Sequence, residues 1–204
     1  MVAVGEVDVG QLEEIVGVLR EWQRDGVSVQ LHPGDIGWNW RFGAQATATT
    51  LRTWSQNGET LAVGLLDAPG LLRLAIAPES QDDEELARQL VSDMSKPERD
   101  GLPRGDAAVE ARFSGPFRAL LLDEGWSADE PWTPLQRDLE APVEDCAMRV
   151  EVIGPQRAGV RAAVQRAAFD GSTFTEAHWQ AMAAARPASS QPRHSGLPGA
   201  ARAA

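Results

Sequence analysis

The chain has 204 residues, of which 43% are hydrophobic and 24% charged, and its formal net charge is −11 at pH 7. This length suits one domain or one and a half, with a core that needs no disulfide or metal. The negative charge disfavours binding to nucleic acids and to anionic membranes, and it mildly favours a cationic substrate such as a small-molecule amine.

A helix and then a strand are predicted near the N-terminus. Apolar residues recur at helical spacing from Leu12 to Trp22, and Gly26 is a stop signal. The run His32-Pro33-Gly34-Asp35 predicts a turn, because Pro fixes φ and Gly permits a positive φ. From Ile36 to Phe42 large apolar side chains alternate with other residues, which predicts a strand with an aromatic face.

Three closely connected runs then predict an antiparallel meander. Thr50–Trp54 alternates, Thr60–Leu66 is apolar, and Gln56-Asn57-Gly58 between them is a hairpin signal. The run Leu71–Ala77 is apolar enough to be a central strand of the sheet.

Two helices and two strands complete this first domain. Ser80 is expected to cap a helix whose buried stripe runs from Leu86 to Met94. Three further segments follow in the order strand, helix, strand: Ala107–Phe113, Gly115–Glu124 and Trp132–Leu139.

After a linker at residues 140–147 the pattern restarts. Met148–Ile153 predicts a strand, Gly154-Pro155 opens a helix, and Thr175–Ala184 predicts a second helix. Val160, Val164, Ala167 and Ala168 are expected to form the buried face of the first of these helices. Residues 185–204 are poor in large apolar side chains and rich in Pro and Arg, so they are predicted to be a disordered tail.

This order of elements resembles the core of the GNAT N-acetyltransferase superfamily. The likeness rests on the strand Leu71–Ala77 with Pro78-Glu79 after it, and on Leu120–Trp126, which resembles the family's helix and Gly-aromatic step. It implies an α/β fold with a mixed, mostly antiparallel central sheet flanked by helices. Residues 1–139 would form a GNAT-like domain, and residues 148–184 a partial, truncated second unit of a tandem protein.

The resemblance implies acetyl-CoA as the cofactor, with Ile76, Ala77 and Gln81 as candidate cofactor-binding residues. Gln81 stands at the first position of the family loop Q/R-x-x-G-x-G/A, but Asp82–Glu85 occupy the positions of its glycines. Phosphates bind at helix N-termini because free N–H groups point at them, and carboxylates at that place repel them. The first domain is therefore expected to be degenerate and not to bind acetyl-CoA in the usual mode.

Other site residues are also implied only by the resemblance. Glu110 is the candidate catalytic base, and Ser172, Thr173 and Phe174 are candidates for substrate contact. Each has a plainer interpretation, which the pattern favours: Glu110 as a solvated strand carboxylate, and Thr173 with Glu176 as a helix capping box.

Tryptophan and histidine residues each have a functional and a plainer interpretation. The four tryptophans of the first third could form an aromatic wall for an amine, but packing in the core is favoured; they are Trp22, Trp38, Trp40 and Trp54. The histidines show no metal-ligand spacing, so no metal site is predicted, and His178 is a general base only as the less favoured alternative.

The sequence also bears on location. No basic segment precedes an apolar run at the N-terminus, and no run approaches the about 20 apolar residues that span a bilayer. Cys146 is the single cysteine, which favours a reducing, cytoplasmic location.

Two functional hypotheses follow. The first is an N-acetyltransferase-like protein that transfers acetyl from acetyl-CoA to an amine and is weak or inactive as this chain. The alternative is a non-catalytic GNAT-fold binding or interaction module. In either case, residues 148–184 are expected to pack on the first domain or to be covered by a partner protein or a second copy.

Overall fold

The computed structural model contains one mixed sheet with helices on both faces. The residues that it describes are 1–24, 27, 30–68, 70–95, 106–112, 114–131, 133, 135, 137–138, 140, 147, 149 and 151–185.

The sheet has five strands in the order β1-β2-β3-β4-β5. Their bounds are Ala3–Glu6, Leu51–Gln56, Glu59–Ala68, Leu71–Ile76 and Ala108–Ala111. Neighbouring strands are antiparallel from β1 to β4, and β5 is parallel to β4. The expected mixed, mostly antiparallel sheet is therefore confirmed, and β1 is an additional strand that the sequence analysis did not identify.

Seven α-helices are present in the described part of the chain. In chain order, α1 to α7 are Leu12–Glu21, Pro33–Asn39, Ala44–Thr49, Glu84–Met94, Gly115–Asp123, Ala158–Ala168 and Glu176–Ala184. Short 3-10 turns lie at Val9–Gln11, Trp40–Phe42, Pro78–Ser80 and Pro155–Arg157.

Each face of the sheet carries its own apolar core. On one face, α4 and α5 pack on every second residue of β4, namely Leu72, Leu74 and Ile76, and on their neighbours. On the other face, α1, α2 and α3 cover Leu51, Leu65 and their neighbours. The period-2 alternation of strand side chains therefore divides β4 between both cores, as expected for a central strand.

The strand predicted from Ile36 to Phe42 is wrong, because this segment is α2 followed by the Trp40–Phe42 turn. His32 is the N-cap: its Nδ1 accepts the Gly34 N–H, and Asp35 accepts the His32 N–H. Pro33 occupies the first helical position, where its missing N–H costs nothing. The predicted turn is thus a helix start, and Ile36 and Asn39 face inward at helical spacing.

Two late strands are also wrong for the described residues. Within Trp132–Leu139, the described residues 133, 135, 137 and 138 lie in no strand, and Leu135 is 93% exposed. Within Met148–Ile153, residues 149 and 151–153 lie in no strand, and Val152 is 99% exposed. None of the described residues of either segment is buried as a residue of a central strand would be, and the other residues of both segments lie outside the described part.

Helix α6 turns a different face inward from the one expected. Ala158 and Ala162 are buried, while Val160 and Val164 are 50% and 57% exposed. The inward face of α6 therefore carries small alanine side chains, and the larger valines lie at the surface. In the described part of the chain, no helix combines the length and apolar character that crossing a bilayer requires. Of the tail predicted at residues 185–204, all but residue 185 lies outside that part.

Candidate functional site

The end of β4 carries the first two candidate cofactor residues, and its backbone groups are already bonded. The Ala77 N–H donates to the Leu61 carbonyl on β3 at 2.8 Å. Because successive residues of a strand point to opposite sides, the Ile76 N–H and C=O point away from β3, toward the β5 side. There the Gln30 side-chain amide holds both: its Oε1 accepts the Ile76 N–H at 3.0 Å, and its Nε2 donates to the Ile76 oxygen at 3.2 Å.

The start of α4 differs from the expectation, because the cap is Asp83 and not Ser80. Ser80 is buried in the turn Pro78–Ser80, and Asp83 begins the helix three residues later. The Asp83 carboxylate accepts the N–H groups of Glu85 and Leu86 at 2.8 and 3.1 Å. A carboxylate here satisfies N–H groups that the first turn of a helix otherwise leaves free.

This arrangement does not fit a pyrophosphate. Gln81, the third cofactor candidate, is half-buried at the end of the 3-10 turn, ahead of the cap. Asp82, Asp83, Glu84 and Glu85 are all exposed around the helix start. An incoming phosphate would have to displace the Asp83 carboxylate and lie among the other acids, which repel it.

Glu110, the candidate base, lies on β5 directly opposite Arg73 of β4. The Arg73 Nε is 2.9 Å from an Asp67 oxygen and 3.7 Å from Glu110 Oε2, and Arg73 Nη1 is 3.6 Å from Asp35 Oδ1. The Arg73 Nε–H is buried and has no hydrogen-bond geometry to an acceptor among the described residues, so these contacts are ion pairs. Asn39 completes the group by donating to Asp67 at 3.2 Å.

Glu110 is 40% exposed, so its carboxylate is accessible to solvent as well as to Arg73. Glu110 is therefore a solvated strand carboxylate, as the plainer interpretation has it, and it also belongs to the ion pairs around Arg73. A role as catalytic base stays a prediction.

Among the candidate substrate residues, Phe174 is a packing residue. It is 4% exposed, and its ring stacks on Trp38 with centroids 5.4 Å apart and planes inclined by 10°. Arg166 donates to the Phe174 carbonyl at 2.7 Å, and the Ser172 hydroxyl accepts the Phe174 N–H at 3.4 Å. Thr173 is exposed. A substrate contact at these three positions stays a prediction.

The capping interpretation of this loop is right in kind but misplaced by two residues. The N-cap of α7 is Thr175, whose hydroxyl accepts the His178 N–H at 3.2 Å. His178 Nδ1 in turn accepts the Thr175 N–H at 3.3 Å. His178 is therefore engaged in a capping box, and the described residues contain no group of His, Cys, Asp or Glu side chains suited to hold a metal ion.

Arg41 lies between two aromatic rings beside this loop. Its guanidinium carbon is 4.3 Å from the centroid of the Trp38 ring and 4.2 Å from that of Phe42, and Nη1 donates to the Trp38 carbonyl at 2.7 Å. Burial lowers the pKa of Arg41, and the Asp67 carboxylate opposes that change. The chain thus supplies its own cation to these aromatic faces.

The tryptophans do not form one wall. Trp54 is buried in the core beside α4 and α5, whereas Trp22 and Trp40 pack on the core of the other face. Trp38 alone of the four stacks on Phe174. Packing therefore accounts for the tryptophans, as the sequence analysis favoured.

Helix α2 and the residues before it contact the cofactor and substrate candidates directly, and they are linked to the catalytic candidate through Arg73. Gln30 bonds Ile76, Asp35 pairs with the Arg73 that also contacts Glu110, and Trp38 stacks on Phe174. Asp35 and Trp38 are three residues apart and so lie on one side of the helix. This role of α2 was not predicted, because the alternating residues of this segment indicate a strand. Pro33 at the first helical position and the acidic Asp35 in the first turn are the signals that could have indicated a helix start.

Comparison with known proteins gives a partial likeness to a solved structure. Neither protein-family models nor curated proteins match the chain. Among solved structures, the chain is similar to a predicted acetyltransferase from Clostridium acetobutylicum that was crystallised with acetyl-CoA. The TM-score is 0.41 at 11% identity, over 67% of this chain and 96% of the other. A superposition at this level is no basis for assigning an activity.

Proposed function

We propose that this chain is a GNAT-type N-acetyltransferase-like protein that retains little or no binding of acetyl-CoA. The reaction class implied by the resemblance is acyl transfer to a small-molecule amine. The observation that carries the proposal is the end of β4. At that point the otherwise antiparallel sheet has a parallel strand, β5, which ends opposite Leu74. The backbone polar groups of β4 that face β5 continue beyond it to Ile76.

The first turn of α4, the helix that follows β4, accounts for the loss of cofactor binding. The Asp83 carboxylate occupies the Glu85 and Leu86 N–H groups, so the first turn of α4 already holds an anion. Three more exposed carboxylates surround it, at Asp82, Glu84 and Glu85. Each like-charge contact with a phosphate at about 4 Å costs on the order of 1–4 kcal/mol. Together these contacts would offset what a helix N-terminus contributes to binding.

A charge-matched pair of variants tests this account. Asp82→Asn with Asp83→Ser removes two carboxylates and keeps a capping hydroxyl, whereas Glu13→Gln with Glu14→Gln removes two exposed carboxylates from the first turn of α1. By calorimetry, we expect the first variant to bind acetyl-CoA at least about tenfold more tightly than the unaltered chain, and the second to bind no better. Equal affinities for the two variants would contradict the proposed role of the acidic loop.

A second candidate function, a non-catalytic module, is favoured by a different observation. Gln30, Asp83 and Trp38 each engage one of the regions where a ligand is expected, at Ile76, at α4 and at Phe174. A chain that satisfies these groups internally is suited to packing or partner binding. Mass spectrometry of a panel of amines incubated with acetyl-CoA separates the two candidate functions. Acetylated amine formed by the Asp82→Asn, Asp83→Ser variant supports the acetyltransferase. No acetylated amine from either that variant or the unaltered chain supports the non-catalytic module.

A further inference from the structure

The bond between Gln30 and Ile76 has the form of strand pairing, although Gln30 lies in no strand. A primary amide carries a donor and an acceptor, which is what a peptide group of a neighbouring strand would offer. Both are used, at 3.0 and 3.2 Å, across 46 residues of sequence. The half-buried Gln30 side chain therefore replaces one missing residue of a neighbouring strand.

Without Gln30, this part of the sheet would present an unpaired edge. β5 ends at Ala111 opposite Leu74, and Ile76 is the next residue of β4 whose polar groups face the same side. Unpaired backbone groups at a strand edge are a template for another extended chain. An extended ligand with a secondary amide could make the same two bonds that Gln30 makes.

We propose that Gln30 closes this edge by an intramolecular contact, so that its side chain and an amide-bearing ligand compete for the N–H and C=O of Ile76. The inference rests on the proposed function only for the identity of the ligand, because the pantetheine arm of acetyl-CoA contains secondary amides. The contact acts separately from the acidic loop, which opposes the phosphate end of the same molecule.

The competing interpretation is that Gln30 only anchors the segment before α2. Gln23 provides the matched comparison, because it is also half-buried and its Nε2 donates to the Leu19 carbonyl at 2.8 Å and to the Leu31 carbonyl at 3.4 Å. Methionine retains the length of glutamine and removes the amide. Gln30→Met and Gln23→Met therefore each delete an anchoring side-chain amide, but only Gln30→Met frees Ile76.

The test uses amide hydrogen exchange by NMR together with titration of pantetheine, which lacks the pyrophosphate. In Gln30→Met we expect exchange at Ile76 to rise about fivefold or more, and the Kd for pantetheine to fall by a similar factor, since one net hydrogen bond accounts for about that much. Gln23→Met should change neither quantity. Chemical shifts elsewhere in the sheet confirm that both variants are folded.

The outcomes separate this inference from the proposed function. Tighter pantetheine binding by Gln30→Met supports the inference even if acetyl-CoA binds to no variant. The absence of acetyl-CoA binding in every variant would count against the proposed function and not against the role of Gln30. Unchanged exchange at Ile76 would overturn the inference. Faster exchange without tighter pantetheine binding would also overturn it, because Gln30 would then be a structural anchor only.

Discussion

The ring of Phe174 stacks on the ring of Trp38, and this contact joins the loop between α6 and α7 to α2. Phe174 is buried, whereas Phe169, five residues earlier, is 60% exposed. The two phenylalanines flank the same loop, so they form a matched pair for testing how α6 and α7 are held.

Phe174→Ala is expected to destabilise the protein by about 3 kcal/mol, because it removes a buried aromatic side chain and leaves a cavity against Trp38. Denaturant unfolding measures the loss, and hydrogen exchange should rise mainly in α7. Phe169→Ala should change the free energy of unfolding by less than about 0.5 kcal/mol. Equal effects of the two substitutions would show that the stacking does not hold these helices.

Gly37→Ala tests whether α2 is a helix. A Cβ at Gly37 meets no atom within 4 Å, and φ there is not positive. Alanine should therefore increase the free energy of unfolding by up to about 1 kcal/mol, as at an open helical position. Gly37→Val, which favours a strand, should be less stable than Gly37→Ala. The reverse order in thermal unfolding would support the strand that the sequence alternation predicted.

Gly64→Ala should be destabilising, because β3 passes closely under two core side chains. A Cβ at Gly64 would lie 2.9 Å from Leu72 Cδ1 and 3.1 Å from Trp54 Cζ3, and both of those residues are buried. We expect a loss of about 1–3 kcal/mol in denaturant unfolding, typical of overpacking. Gly17→Ala in α1, where a Cβ meets nothing within 4 Å, is the control and should not destabilise. A neutral Gly64→Ala would mean that the core is less tightly packed here.

Arg73→Met removes the cation that three carboxylates share. Asp35, Asp67 and Glu110 would then lie close together without it, and we expect a loss of about 1–2 kcal/mol, limited because Arg73 is 32% exposed. Added salt should reduce the loss, since it screens the remaining repulsion. Arg88→Met, which breaks an exposed pair with Glu84 on α4, should cost about 0.5 kcal/mol or less. A loss no larger at Arg73 than at Arg88 would contradict the network.

Local patterns predicted much of this fold. Helix α1 follows from its apolar spacing, and the hairpin between β2 and β3 follows from Asn57-Gly58, where both residues have positive φ, at 54° and 84°. The central position of β4 follows from its apolar run, which both cores share. In these places local propensity and tertiary packing agree.

The wrong predictions lie where packing overrides a local sequence pattern. Around Trp38, alternating aromatics imitate a strand, while a histidine cap, which is outside the usual set of capping residues, starts a helix. In α6 the small Ala158 and Ala162 are buried while the larger valines are exposed, so the most apolar stripe is not the packed face. The bond from Gln30 to Ile76 spans 46 residues and has no local signal at all. The position of the candidate residues was therefore predictable only in part, through β4 and β5.

Whether Gln30 and Asp83 already occupy the backbone groups that acetyl-CoA would use is tested most directly by titrating the unaltered chain with acetyl-CoA. The titration is monitored by NMR at three backbone amides. We expect the Ile76, Glu85 and Leu86 resonances not to move up to millimolar cofactor, because Gln30 and Asp83 already bind these amides. Saturable shifts of all three at micromolar acetyl-CoA would contradict this expectation.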